Sequence, residues 1–163
     1  MKNRRQKWIA GLLCAFPLAM AAQQTEPLTG PQRLFEDGKI LFERHDYAAA
    51  RQTLERYLQN QECNISHEEA DYMMACTAYE LQLSDAMQQL QNYLKKYPES
   101  RYRNRVQALI GSAYFFKGDY EAAVQAYQQV DIDLLGDVER DECALRLGTS
   151  YLKMNNLDER KHT

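Results

Sequence analysis

"GSAYFFKGDYEAAVQAYQQV", residues 111–130, is the stretch that decides the fold. Gly111 is followed three residues on by Tyr114, then by a Gly118-Asp119-Tyr120 turn, then by Ala123. Apolar residues around it fall at helical spacing: Val106, Leu109, Ile110 and Tyr114 before the turn, Ala123, Tyr127 and Val130 after it. The stretch reads as two helices joined tightly, with a small residue where they cross.

The same grammar recurs along the chain. "GKILFERHDYAAARQTLERYL" begins at Gly38, "CTAYELQLSDAMQQLQNYLKKYP" at Cys76 and "GTSYLKMNNLDER" at Gly148, so the separations are 38, 35 and 37 residues. Three residues after each small residue stands Leu41, Tyr79, Tyr114 or Tyr151. The turns read His45-Asp46-Tyr47, Leu83-Ser84-Asp85, Gly118-Asp119-Tyr120 and Asn155-Asn156-Leu157; Ala50, Ala86 and Ala123 open the second helices. Beyond Gln32 only Pro98 interrupts, and strand-like alternation is scarce. The pattern predicts helices over 32–44, 47–60, 66–82, 84–97, 101–117, 120–130 and 138–154, with Ser66, Ser84 and Ser100 as N-caps.

A helix-turn-helix period near 34 marks the tetratricopeptide repeat, and residues 31–159 resemble that family. The resemblance implies an all-α fold: a right-handed superhelical stack of antiparallel helix hairpins, about three and a half units over 32–159. The packing logic agrees. A glycine lets two helices approach closely, and each hairpin buries its remaining apolar face only by stacking on the next. The last unit has a first helix and a turn and then only residues 160–163. A helix left without its partner leads to the expectation that the chain is part of a longer repeat protein and self-associates weakly through this C-terminal helix.

The resemblance implies a protein or peptide partner, held in a concave groove lined by the first helices. The positions facing it are expected to be Phe35, Lys39 and Phe42, then Met73 and Thr77, then Arg105, Ala108, Ser112 and Phe115. One family subclass holds a C-terminal carboxylate with Lys and Asn. Phe35, Lys39, Met74, Arg105 and Leu109 stand at the matching positions, so that clamp is not reproduced. The chain is also similar to repeats of bacterial envelope proteins, which implies a non-enzymatic scaffold. The alternative is the repeat module of a longer protein whose enzymatic or regulatory part lies elsewhere.

The N-terminus carries an address. "MKNRRQK" is basic, "WIAGLLCAFPLAMA" is apolar, and Ala19-Met20-Ala21 is a small-x-small cleavage signal. Residues 1–21 are expected to be a signal peptide, 22–31 a polar lead-in, and the protein to be periplasmic or outer-membrane-associated. Cys14 lacks the small residue that precedes a lipidated cysteine. The first 21 residues hold four cations and no acid, so the net −3 of the whole chain leaves −7 on the remainder. That charge argues against nucleic acid, whose phosphates need a basic face.

No catalytic constellation stands out. The histidines are His45, His67 and His162. Cys63, His67 and Glu68 match no compact zinc spacing, and no third group orients a Cys63–His67 pair. No metal, cofactor or small-molecule substrate is expected. Cys76 and Cys143 are expected to lie too far apart for a disulfide, as small buried residues.

Overall fold

The computed structural model describes residues 30–60 and 67–161, with side chains described through Asn155. The signal-peptide expectation, Cys63 and Ser66 therefore lie outside the described residues. Among the described residues seven α-helices follow one another: α1 (Gly30–Glu43), α2 (Tyr47–Leu58), α3 (His67–Glu80), α4 (Ala86–Lys96), α5 (Arg103–Lys117), α6 (Tyr120–Tyr127) and α7 (Asp137–Lys161). A 3-10 turn, Ile132–Leu134, leads into α7. Consecutive helices pack as antiparallel hairpins, and the first helices also touch along a row, α1 on α3, α3 on α5, α5 on α7. This is the stack of hairpins that the pattern implied.

The crossings show why the glycines are there. A Cβ on Gly38 would lie 2.8 Å from Leu54 Cδ2, and one on Gly111 would lie 2.6 Å from the Tyr127 ring. The residue opposite each glycine is thus a large one, four positions after the alanine expected to complete the contact. Ala50 and Ala123 are fully buried one turn earlier. Phe35, Leu54, Tyr57, Met73, Leu90 and Val106 belong to one core running through the first two hairpins into α5. Ala123, Tyr127, Leu135 and Cys143 form a second core under α7.

Each hairpin turn passes through one left-handed residue: His45 (φ 62°), Gln82 (φ 53°) and Gly118 (φ 81°). The same backbone bonds close all three turns, His45 N–H to Phe42 O, Gln82 N–H to Tyr79 O and Gly118 N–H to Phe115 O. Such a cap satisfies carbonyls left open at a helix end. It also fixes the register. His45 and Gly118 come seven residues after Gly38 and Gly111, and seven before Gln82 is Ala75, not Cys76. The small residue of the second hairpin is Ala75, and the separations become 37, 36 and 37.

Three further expectations are corrected. Ser84 is not an N-cap: Asp85 holds that position on α4. Ser100 does not cap α5, whose N-cap is Tyr102; its Oγ instead accepts the Tyr102 N–H at 3.0 Å in the preceding turn. The turn expected at 155–157 is helix, because α7 runs unbroken to Lys161. Residues 149–161 contain no proline to break the helix. At the other end α1 starts at Gly30, two residues before its expected start.

Candidate interaction face

The row of first helices presents one face built from α1, α3, α5 and α7. The structure divides the nine expected groove residues. Phe35 is buried at 8% exposure with its ring 5.3 Å from Tyr57, so it holds α1 on α2 rather than facing a groove. Met73 and Thr77 are also buried, and Thr77 donates its hydroxyl to Met74 O at 2.9 Å. With Ala75 at the crossing, Tyr72 and Cys76 rather than Met73 and Thr77 stand at the places equivalent to Phe35 and Lys39, and both of these are buried too. Ser112 is buried as well.

Five of the nine stay at or near the surface. Lys39 forms an ion pair with Glu69 at 3.0 Å, which raises its pKa through that hydrogen bond. Arg105 pairs with Glu139, tying α5 to α7. Phe42 is half-buried, edge-on to Tyr47 and Tyr72. Ala108 is half-buried, and Phe115 packs edge-on to Tyr120.

Ser112 is a junction rather than a contact point. Its Oγ lies 3.0 Å from Tyr127 Oη on α6 and accepts a bond from Arg146 Nη1 on α7 at 2.8 Å. Burial pushes the Tyr127 and Tyr79 hydroxyls up from their ordinary range, so both stay protonated. One hydroxyl therefore joins three helices. Arg146 also bonds Glu142 at 2.9 Å and sits 5.2 Å over the Phe116 ring.

Two hollows open beside this junction. One, of about 1030 Å³, is lined by Tyr79, Leu83, Met87, Leu109, Phe116 and Arg146, among others. The other, of about 960 Å³, is bordered by Tyr102, Arg105, Leu134 and Val138. Glu80 and Glu142 border both, so the hollows adjoin. Phe116 is 68% exposed on the rim of the first. Sequence reasoning missed it because Phe115 and Phe116 are adjacent, and only the turn geometry says which ring tucks against Tyr120 and which faces out.

The two cysteines of this region are unreactive by position. Cys76 and Cys143 are free and buried. Burial pushes the Cys76 thiol up to about 12 and raises that of Cys143. Among the described residues no group of three His, Cys, Asp or Glu is placed to hold a metal ion. Among them, too, no helix is long and apolar enough to cross a membrane.

Comparison with known families adds two matches. Residues 69–100 and residues 105–131 each match a family model described as tetratricopeptide repeat. No curated protein matches the chain.

Proposed function

This chain is a tetratricopeptide repeat protein, a class of protein-interaction scaffold, and we propose that it holds a peptide or protein segment along the first-helix face. Phe116 carries the reading. A phenylalanine 68% exposed, with a guanidinium over one face and Leu109 and Met87 lining the adjoining hollow, is an anchor for an apolar side chain. Repeats of this kind are generally non-enzymatic, and the scaffold role needs no chemistry beyond the groove. Lys39, Arg105 and Arg146 all sit in ion pairs, so the face offers paired charges and an apolar anchor site rather than a cationic clamp. The partner segment is accordingly apolar or aromatic at its centre.

The setting we propose is the bacterial envelope, with export directed by residues 1–21. The basic start, the short apolar run and Ala19-Met20-Ala21 support it. If the chain is one module of a longer protein, the groove keeps this role within it. A photo-crosslinking residue at position 116 tests the groove. In envelope extract it should capture a defined partner, and Leu83→Asp, at an exposed leucine lining the same hollow, should abolish that capture without lowering the melting temperature by more than a few degrees. Equal capture from position 125, on the second-helix side, refutes the groove. Protein purified from its native cell should begin near Ala22; an intact Met1 refutes export.

A further inference from the structure

The outward side of α7 is apolar and uncovered. Val138, Leu145 and Leu152 are 73%, 71% and 66% exposed and recur every seven residues, so they form one stripe. Cys143 and Ser150, which are buried, lie on the opposite side of the helix. Beside the stripe is Gly148. A Cβ there would meet nothing within 4 Å, whereas at Gly111, in the same place one unit earlier, it would strike Tyr127. Helix α7 therefore presents a surface shaped for another helix.

We propose that the occupant is the α7 helix of a second copy, packed antiparallel about a two-fold axis near Gly148. Three observations choose it. The first is charge. By sequence, α7 carries net −2 over residues 137–147 and net +1 over 149–161. Antiparallel pairing sets the acidic half of each helix against the basic half of the other, and opposes the helix dipoles. The second is position. Gly148 lies near the middle of a 25-residue helix, with Leu145 three residues before it and Leu152 four after. A two-fold axis there brings Leu145 of one copy against Leu152 of the other, and the glycine lets the axes approach. The third is the opposite end of the stack. The exposed face of α1 carries Arg33 and Asp37 around Ile40, with Arg44 just past its end, a charged surface that offers no apolar seat for α7 of a neighbour. Head-to-tail growth is thereby disfavoured, and a closed pair remains.

Val138 borders the second hollow, but Leu145 and Leu152 line neither, so pairing through these two leucines is tested apart from the groove at Phe116. Sedimentation velocity of the purified chain over a range of concentrations tests it. The expected result is a reversible rise from 19.0 kDa to twice that mass. Leu145→Asp with Leu152→Asp should abolish the rise while leaving the melting temperature of the monomer unchanged, since both side chains face solvent there. In a background with Cys14 and Cys63 changed to Ser, Gly148→Cys should cross-link to itself under mild oxidation. Val138→Cys should not, because antiparallel pairing separates the two copies of position 138 by about 30 Å at 1.5 Å per residue. A monomer at all concentrations, an open-ended mass increase, insensitivity to the aspartates, or cross-linking through position 138 instead of 148 would each overturn the proposal.

Discussion

Gly111 and Gly148 carry the same local sequence, a glycine with a tyrosine three residues later, in two opposite environments. Around Gly111 the hairpin is closed: α6 lies against α5, and the Tyr127 ring occupies the space a side chain would need. Around Gly148 the helix is open, and its tyrosine, Tyr151, is 43% exposed. The difference teaches that a repeat motif specifies a helix prepared for a neighbour, not the neighbour itself. It also separates two kinds of stability in one molecule, since the closed hairpins rest on interdigitated side chains and α7 rests on its one packed side.

The largest expected effect concerns that closed interior. Cys76 is buried in it, with its pKa pushed to about 12 from 9.0. Its folded pKa lies above the unfolded one, so between about pH 9 and 12 the native chain binds more protons than the unfolded chain. Stability is then full below pH 9 and falls as pH rises through the window. Tyr72 and Tyr93, also raised by burial, act in the same direction at higher pH. Melting curves followed by circular dichroism should show the midpoint falling steadily above pH 9. A midpoint flat to pH 11 would mean that these groups are not buried as the structure has them. Cys143, on the packed side of the edge helix α7, should react with thiol reagents before Cys76 as the pH is raised.

Next comes the crossing itself. Gly111→Leu inserts a side chain where even a Cβ meets the Tyr127 ring, and should cost about 1–3 kcal/mol or more by overpacking. Lys117→Ala, on the exposed end of the same helix, should stay within about 0.5 kcal/mol. Chemical denaturation of the two variants checks this directly, and equal midpoints would break the hairpin alignment.

Much of this was legible in the sequence, and the failures have physical causes. Period, hairpins and the roles of Gly38 and Gly111 follow from small residues and apolar spacing alone. The second hairpin was misread by one residue because Ala75 and Cys76 are both small, and the deciding left-handed residue is Gln82, a type that gives no sign of it. That slip turned Met73 and Thr77 outward on paper, while the structure buries both. Phe35 was assigned to the groove from its position in the repeat, but Tyr57 across the hairpin claims its ring. Asn155-Asn156 looked like a turn, yet the turns observed depend on a left-handed residue closing onto a following helix. Arg146 acts through Ser112 on a different hairpin, a contact that no local pattern contains.

A middle-sized effect compares two hydroxyls in matching places. Ser112 joins Tyr127 and Arg146 in a buried site, whereas Thr149, the equivalent residue on α7, bonds only back to Leu145 O at 2.8 Å. Ser112→Ala leaves buried groups without their partner and should cost about 1–3 kcal/mol. Thr149→Ala should change stability by less than about 0.5 kcal/mol. Urea denaturation would show the contrast, and a loss as large for Thr149 would mean that α7 is covered after all.

The smallest expected effect has the opposite sign. Glycine inside a helix costs roughly 0.5–1 kcal/mol relative to alanine, because the unfolded chain gives up more backbone freedom. At Gly111 that cost is offset by the close approach of Tyr127, so alanine there should destabilise. At Gly148 the monomer has no such approach, and the space for a Cβ is empty. Gly148→Ala should therefore raise stability by about 0.5–1 kcal/mol when measured at a concentration low enough to keep the chain monomeric. Gly111→Ala supplies the control, since the same substitution in the same motif must lower it. At concentrations where copies pair, the alanine methyl would sit near the two-fold axis and hold the helices apart. The gain should then shrink or reverse as the protein is concentrated. A stabilisation independent of concentration would leave Gly148 a simple surface glycine and remove the axis from its neighbourhood, while a destabilisation even at high dilution would show that something in the monomer already lies against it.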